Sequence, residues 1–389
     1  MRKREGWKFP CDNEGGLDEV FESLYGSKKF KAIPVSLLNQ MFQWKTAEWE
    51  DKEQKVKSFQ DFVNTYKDEY NYFLIYEFNE GALRMKSLLE YHKLFKSVNV
   101  NPNRVIFLTS NWNFSYFYDE LDYSEEDRFH IIPNWWKSIS YFTGAELRDR
   151  ENFPADPYGQ VNSVWDQLIE NFENRKKRNP SKLFISTMES SRGERNYFFD
   201  KLKERDLLKF GHVSYRDMGV YLDNKNRGIM SDVDNHYRFF DTKEYFNDAH
   251  ISVVMESDVY TNPVHWDGLI QSGRLSEKTM WPLFWGKPFF VIGPRRPIDT
   301  LHNYGLKTFS PVFDESYDEE DDILIRIDRV VDELERFSKL SEDDLKNELQ
   351  KTNEIIEYNF NFFKEWSYKG VDEIVDHFFG KRARELNII

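Results

Sequence analysis

The chain has 389 residues, enough for two domains of ordinary size, and its 40% hydrophobic and 31% charged residues are typical of a globular protein. A net charge of −14 argues against a nucleic-acid partner, because the field of the whole chain repels polyanions. The single cysteine, Cys11, excludes an internal disulfide and a cysteine-based zinc site. Since no apolar run has the length of a membrane span or a signal peptide, we expect a cytoplasmic protein that does not span a membrane. The oligomeric state is left open.

The first half of the chain alternates strand and helix patterns. Short apolar runs typical of buried parallel strands occur at 72–78, 104–109 and 129–133, and a helical pattern lies between the first two. The 34 phenylalanines and 21 tyrosines are expected to fill the core. Regularity lapses between residues 148 and 180, where turn residues precede a polar helix that ends in the basic cluster 175–178. We interpret that cluster as a solvated helix end and place a domain boundary there.

The second half gives a clearer pattern of the same kind. Strands are predicted at 183–187, 212–215, 251–256 and 289–292, with helices that open at Ser191 (a capping box) and at Ser276. Gly286 is expected to end the helix that follows Ser276. The last residues are helical in pattern, with an amphipathic stretch at 323–337 and a second capping box at Ser341.

Together these patterns predict an α/β protein with two Rossmann-like lobes, whose parallel sheets face each other across a cleft. The N-terminal lobe is assigned to 1–175 and the C-terminal lobe to 176–340. Helices at 341–389 are expected to pack back across the lobes.

Two predicted helices of the second lobe carry a cation in the first turn, Arg195 in one and Lys278 in the other. A cation at a helix N-terminus opposes the helix dipole, so it costs stability unless an anion offsets it. Free N–H groups at such ends bind phosphates, and in open α/β sheets ligands lie beyond the carboxyl ends of the strands. Spacing alone leaves a solvated surface position open as the alternative.

Two motifs of this half resemble the donor-binding domain of α-1,3-fucosyltransferases, which are glycosyltransferases of the GT-B type. The first motif runs from the 184–187 strand through Arg195 into the aromatic helix 196–202. The second combines Glu256-Ser257, Ser276-Glu277-Lys278 and the run 286–294, Gly-Lys-Pro-Phe-Phe-Val-Ile-Gly-Pro. The resemblance spans 183–309, about a third of the chain, and does not extend to the N-terminal half.

The resemblance implies a role for each matching residue. Arg195 and Lys278 would neutralise the diphosphate of a nucleotide-sugar donor, and Glu277 would accept hydrogen bonds from the ribose hydroxyls. Glu256 would face the transferred sugar or order the loop that follows it. Fixed cations at the diphosphate leaving group make a metal unnecessary, so no metal or other cofactor is expected beside the donor. The sequence departs from the family at Ser257, which replaces an asparagine, and in the long loop before Glu277. The donor is therefore left open, and GDP-fucose is one candidate.

An inverting transfer needs a base for the acceptor proton, and Glu77 or Glu80, at the carboxyl end of the first predicted strand, is the candidate. The predicted function is thus transfer of a sugar from a nucleotide donor to a glycan. The alternatives are a viral-type transferase acting on DNA bases and a non-catalytic nucleotide- or sugar-binding protein of the same fold. The triplet Asp232-Val233-Asp234 and the acidic run 314–322 are weaker candidates for metal sites, and the acidic run suits the start of a helix better.

Overall fold

The computed structural model describes residues 16–34, 50–76, 85–109, 118–119, 121–133, 164–188, 191–215, 218–220, 243–256, 275, 277–293, 295–366, 373 and 375–389. By their contacts these residues fall into two compact units. The first unit is drawn from 1–140 and 369–389, and the second from 141–261 and 275–368. Within the described residues, no helix has the length and apolarity needed to cross a bilayer.

The first unit is built on a parallel sheet of four strands in the order β1-β2-β3-β4. The strands are β1 Phe30–Pro34, β2 Tyr72–Tyr76, β3 Val105–Thr109 and β4 His130–Pro133. Its helices are α1 Gly16–Tyr25, α2 Glu50–Tyr66 and α3 Met85–Ser97, and the chain returns to this unit in a π-helical turn, Asp376–Gly380, and α12 Lys381–Glu385.

Every residue of β3 is buried, as expected for a parallel strand with both faces covered. Aromatic rings fill much of this core, as predicted: the rings of Phe59 and Phe95 meet edge to face with centroids 5.3 Å apart, and Phe107 packs on Phe129 at 4.9 Å. The strand β1 was not predicted, because Lys31 and Pro34 interrupt its apolar pattern.

The second unit also has a four-stranded parallel sheet, with the order β6-β5-β7-β8. The strands are β5 Lys182–Met188, β6 Gly211–Tyr215, β7 Ala249–Met255 and β8 Phe289–Ile292. The helices are α4 Val164–Glu173, α5 Gly193–Glu204, α6 Lys243–Asn247, α7 Glu277–Phe284, α8 Pro297–Asn303, α9 Ile323–Ser338, α10 Glu342–Gln350 and α11 Asn353–Trp366. The predicted α/β class with parallel sheets is therefore confirmed.

The described residues of the second unit include helix ends that follow their sequence signals and one that does not. Gly286 adopts the left-handed conformation (φ 60°) after α7, and the Ser341 hydroxyl accepts a hydrogen bond from the Asp344 amide at 3.1 Å. The capping box predicted at Ser191 is wrong, because α5 begins at Gly193 and Arg192 stands at its N-cap. The Ser191 hydroxyl instead donates to the side chain of Asn196 at 3.1 Å.

Of the basic cluster after α4, Lys176 and Lys177 are exposed as the sequence suggested, whereas Arg175 and Arg178 are partly buried. Arg178 donates to the carbonyls of Trp285 (2.7 Å) and Asn171 (2.6 Å), and burial lowers the pKa of its guanidinium to about 10. Arg175 pairs with Glu357 of α11 at 2.7 Å. These arginines therefore join α4 to α7 and α11 inside the second unit.

The predicted lobes and this division into units differ in extent. Helix α4, inside the predicted lobe 1–175, belongs to the second unit, as do α10 and α11 from the predicted segment 341–389. Only the last described residues, 373 and 375–389, return to the first unit.

Candidate functional site

The second sheet has a topological switch point between β5 and β7. From β5 the chain moves to β6 on one side, and it then crosses back to place β7 on the other side of β5. The connections after β5 and β7 leave in opposite directions, and in open α/β sheets a point of this kind forms a crevice beyond the carboxyl ends of the strands, where ligands bind. The residues that follow β5 and β7 therefore form the candidate site.

Arg195 lies in the first turn of α5, the helix that follows β5, and reaches across the switch point. One of its terminal nitrogens is 3.4 Å from the carbonyl oxygen of Met255 and 3.5 Å from that of Glu256, at the end of β7. The side chain is only 2% exposed, and burial, with Arg192 nearby, lowers its guanidinium pKa. The charges of Glu194, Tyr215 and Glu256 oppose this lowering of the pKa. Arg195 is thus a fixed cation under the crevice.

Glu256 is the first residue after β7 and is 1% exposed. Its amide donates to the Ile292 carbonyl at 2.9 Å, which extends the β7–β8 ladder by one residue. Its carboxylate accepts a hydrogen bond of 2.5 Å from the hydroxyl of Thr279, a fully buried residue in the first turn of α7. Glu256 therefore fixes the start of α7 at the end of β7.

Lys278 precedes Thr279 in the first turn of α7 and is half-buried. The Thr279–Glu256 bond ties this turn to the end of β7, so the direction of the α7 N-terminus is fixed. Glu277 is the first residue of α7, but its side chain lies outside the described residues, as does Ser276.

The next helix N-terminus along this edge is already occupied by a side chain of the protein. The carboxylate of Asp318 accepts a hydrogen bond from the Ile298 amide in the first turn of α8 at 3.2 Å, and burial raises the pKa of this carboxyl to about 7. Beside it, the buried Arg326 of α9 donates to the Gly293 carbonyl, which follows β8, at 2.7 Å. These contacts close the β8 side of the edge, which leaves α5 and α7 as the helix ends facing the switch point.

The acidic run around Asp318 serves the fold. Asp314 accepts from the Ser316 amide at 3.0 Å, Asp322 caps α9 through the Leu324 amide at 2.8 Å, and Glu320 pairs with Arg329. Among the described residues, no three metal-binding side chains come together, and Asp232 and Asp234 lie outside them.

The structure brings together two of the predicted site residues, Arg195 and Glu256, and places Lys278 beside Thr279, the partner of Glu256. The proposed bases, Glu77 and Glu80, lie outside the described residues. The sequence patterns did not single out Thr279 or Arg326. Thr279 follows the Ser-Glu-Lys triplet directly, but a buried arginine on the amphipathic α9 gives no signal in the sequence.

Comparison of the chain with models of protein families, with curated proteins and with solved structures found no match.

Proposed function

We propose that the chain is a glycosyltransferase that holds a nucleotide-sugar donor beyond the carboxyl ends of β5 and β7. The observation that carries the proposal is the switch point of the second sheet, with Arg195 fixed beneath it and the first turn of α7, which contains Lys278, beside it. A crevice of this kind with a helix N-terminus and two cations suits a diphosphate. The resemblance of the same residues to α-1,3-fucosyltransferases supports the choice of a sugar donor.

The burial of Lys278, Arg195 and Glu256 indicates a different role for each. Lys278, which is half-buried, would contact the diphosphate directly. Arg195 is 2% exposed, so it would act mainly through its charge, which a buried position screens little. Glu256, held by Thr279, would keep the α7 N-terminus aimed at the phosphates.

As the bond to the sugar breaks, the nucleoside diphosphate gains negative charge, and cations fixed beforehand stabilise that change. We propose an inverting transfer that needs no metal, with Glu277 on the ribose and Glu77 or Glu80 taking the proton of the glycan acceptor. GDP-fucose is the first donor to test.

The donor proposal is tested by calorimetric titration of the full chain with GDP, UDP, dTDP and CMP. We expect one nucleotide to bind, and Lys278→Ala to weaken it about tenfold, which corresponds to about 1.4 kcal/mol. Lys209→Ala is the matched control, because Lys209 is an exposed lysine of the same unit that precedes β6 at the amino-terminal edge. Binding that is equal in Lys278→Ala and the wild type, or absent for all four nucleotides, contradicts the proposal.

A non-catalytic nucleotide-binding protein is the second candidate, because Arg195 and Glu256 are both buried in hydrogen bonds within the fold. The two candidates differ in turnover. A transferase releases free nucleotide from its sugar donor when a glycan acceptor is added, whereas a binding protein holds the donor intact. Chromatography of the nucleotide after incubation with the donor that corresponds to the bound nucleotide distinguishes them.

A further inference from the structure

A cavity of about 920 Å³ lies in the first unit. It opens at the amino-terminal ends of β2, β3 and β4. Asn71 and Phe129 directly precede β2 and β4, and Asn103 lies shortly before β3. Its remaining wall comes from the C-terminal residues, including Arg382 and Asn387. The volume is in the upper part of the range of small-molecule sites, about 300–1,000 Å³.

The charges that line this cavity nearly cancel. Three arginines stand against four carboxylates; these residues are Arg104, Arg128, Arg382, Asp119, Glu125, Glu126 and Glu385. Two of the arginines pair within the cavity wall, Arg128 with Asp119 and Arg382 with Glu385 at 2.7 Å. A balanced lining of this kind attracts neither a polyanion nor a polycation.

The third arginine, Arg104, is committed to the backbone. It donates to the carbonyls of Asn71 at 2.9 Å, Lys67 at 2.7 Å and Tyr70 at 2.5 Å. These bonds tie the turn between α2 and β2 to the start of β3, so the wall is rigid before any ligand arrives. No arginine of this wall is left over for a phosphate among the described residues.

The groups that remain for a ligand are amides, rings and two carboxylates, Glu125 and Glu126, which make no ion pair among the described residues. Within the described part of the chain, the side chains of Asn71, Asn103 and Asn387 make no hydrogen bond. Each amide offers one acceptor and two donors, which matches hydroxyl groups that both donate and accept. Tyr72 adds a half-buried ring, held by stacking on Phe30 at 5.7 Å.

His130 adds to the neutral character of the cavity, because burial lowers the pKa of its imidazole. The arginines of the lining are engaged within the protein, and its remaining groups are amides, rings and the carboxylates of Glu125 and Glu126, which accept hydrogen bonds from hydroxyls. The lining therefore suits a ligand that is uncharged and rich in hydroxyls, with C–H faces for a ring. Apolar ligands are disfavoured, since burial would leave the amides without partners.

We propose that this cavity binds a neutral carbohydrate chain. The proposal rests on different residues from those of the donor site proposed above, so either assignment survives the loss of the other.

The test is a titration of the full chain with a panel of uncharged oligosaccharides, built on glucose, galactose, mannose and N-acetylglucosamine, beside their sulfated counterparts. The double variant Asn71→Ala/Asn387→Gly removes two amides and keeps the left-handed backbone of residue 387, whose φ is 56°. Asn64→Ala/Asn99→Gly is the matched control, because Asn99 has nearly the same φ of 57° and neither residue lines the cavity.

We expect at least one uncharged oligosaccharide to bind, the double variant to weaken it about tenfold or more, and the control to bind as the wild type does. Retained affinity in Asn71→Ala/Asn387→Gly, binding of sulfated chains alone, or no binding across the panel overturns the proposal. Loss of the oligosaccharide in Lys278→Ala with retention in the double variant also overturns it, because the sugar would then occupy the proposed donor site.

Discussion

Asp318 shows how a single buried carboxyl can make stability depend on pH. Its pKa is about 7 in the folded protein because burial penalises the charged form, against an ordinary value of 3.8. Between these two values the folded chain keeps a proton that the unfolded chain has lost. The free energy of unfolding contributed by this group therefore falls as the pH rises from about 4 to about 7.

Asp318→Asn removes that dependence and keeps an oxygen that can accept from the Ile298 amide. We expect the melting temperature of the variant, relative to the wild type, to rise by several degrees between pH 4.5 and pH 8; about 2–4 °C corresponds to each kcal/mol in a domain of this size. Asp343→Asn, at an exposed carboxyl of α10, serves as the control. Parallel melting curves for Asp318→Asn and the wild type across this range would contradict the burial of this carboxyl.

His92 makes stability depend on pH in the opposite direction from Asp318. Its Nε2 is 2.8 Å from the hydroxyl of Tyr118, and its Nδ1 has no hydrogen-bond partner among the described residues. Burial, with Lys96 nearby, lowers the imidazole pKa to about 4. Since the unfolded chain takes up a proton near pH 6.5, this group destabilises the fold as the pH falls from about 6.5 to about 4.

We expect the His92 imidazole to stay neutral down to about pH 5 in the native protein. The chemical shift of its ring proton, assigned by comparison with His92→Gln, should be constant between pH 8 and pH 5 and should titrate normally in urea. A native midpoint above pH 6 would mean that water reaches the ring.

At the scale of an element, the end of α7 depends on Gly286. Its φ of 60° is unfavourable for a side chain, and an added Cβ would lie 2.6 Å from Arg175 Cδ and 2.9 Å from Phe172 Cδ2. We expect Gly286→Ala to lower the free energy of unfolding by more than about 1 kcal/mol in urea titrations. Gly193→Ala at the start of α5 is the matched control, since no atom lies within 4 Å of its Cβ position and we expect little change.

The helices and strands that could be predicted correctly are those that a local sequence pattern specifies. The apolar run at β7 and the glycine after α7 specify a buried strand and a helix end by themselves. The edge strand β1 contains Lys31, whose ammonium pairs with Asp18 of α1 at 2.7 Å. The local sequence pattern does not predict this partner, so β1 was not recognised as a strand. The same distinction holds for the candidate site. Arg195 and Glu256 could be predicted because they follow predicted strands, whereas the Thr279–Glu256 bond depends on how α7 packs against β7.

At the scale of the whole molecule, the chain leaves the first unit and returns to it at its end. Phe379, in the π-helical turn, is fully buried against Phe21 at 4.7 Å and Phe30 at 5.5 Å. Nearby, the hydroxyl of Tyr25 donates to Asp376 at 3.1 Å. The core of the first unit therefore includes residues more than 340 positions apart in sequence, as the 351-residue separation of Tyr25 and Asp376 shows.

Because each unit has its own core, loss of a core ring should loosen one unit and spare the other. Phe379→Ala is expected to cost about 3–5 kcal/mol, the usual range for a buried phenylalanine, and to speed amide hydrogen exchange in β1–β4. Phe363→Ala, at a ring of the second unit that is 1% exposed and packs on Phe284, is the reciprocal control and should speed exchange in β5–β8 instead. Hydrogen exchange followed by mass spectrometry reports both sheets in one experiment. Equal loss of protection in both sheets for either variant would show that the two units unfold together, so that the C-terminal return stabilises the whole chain.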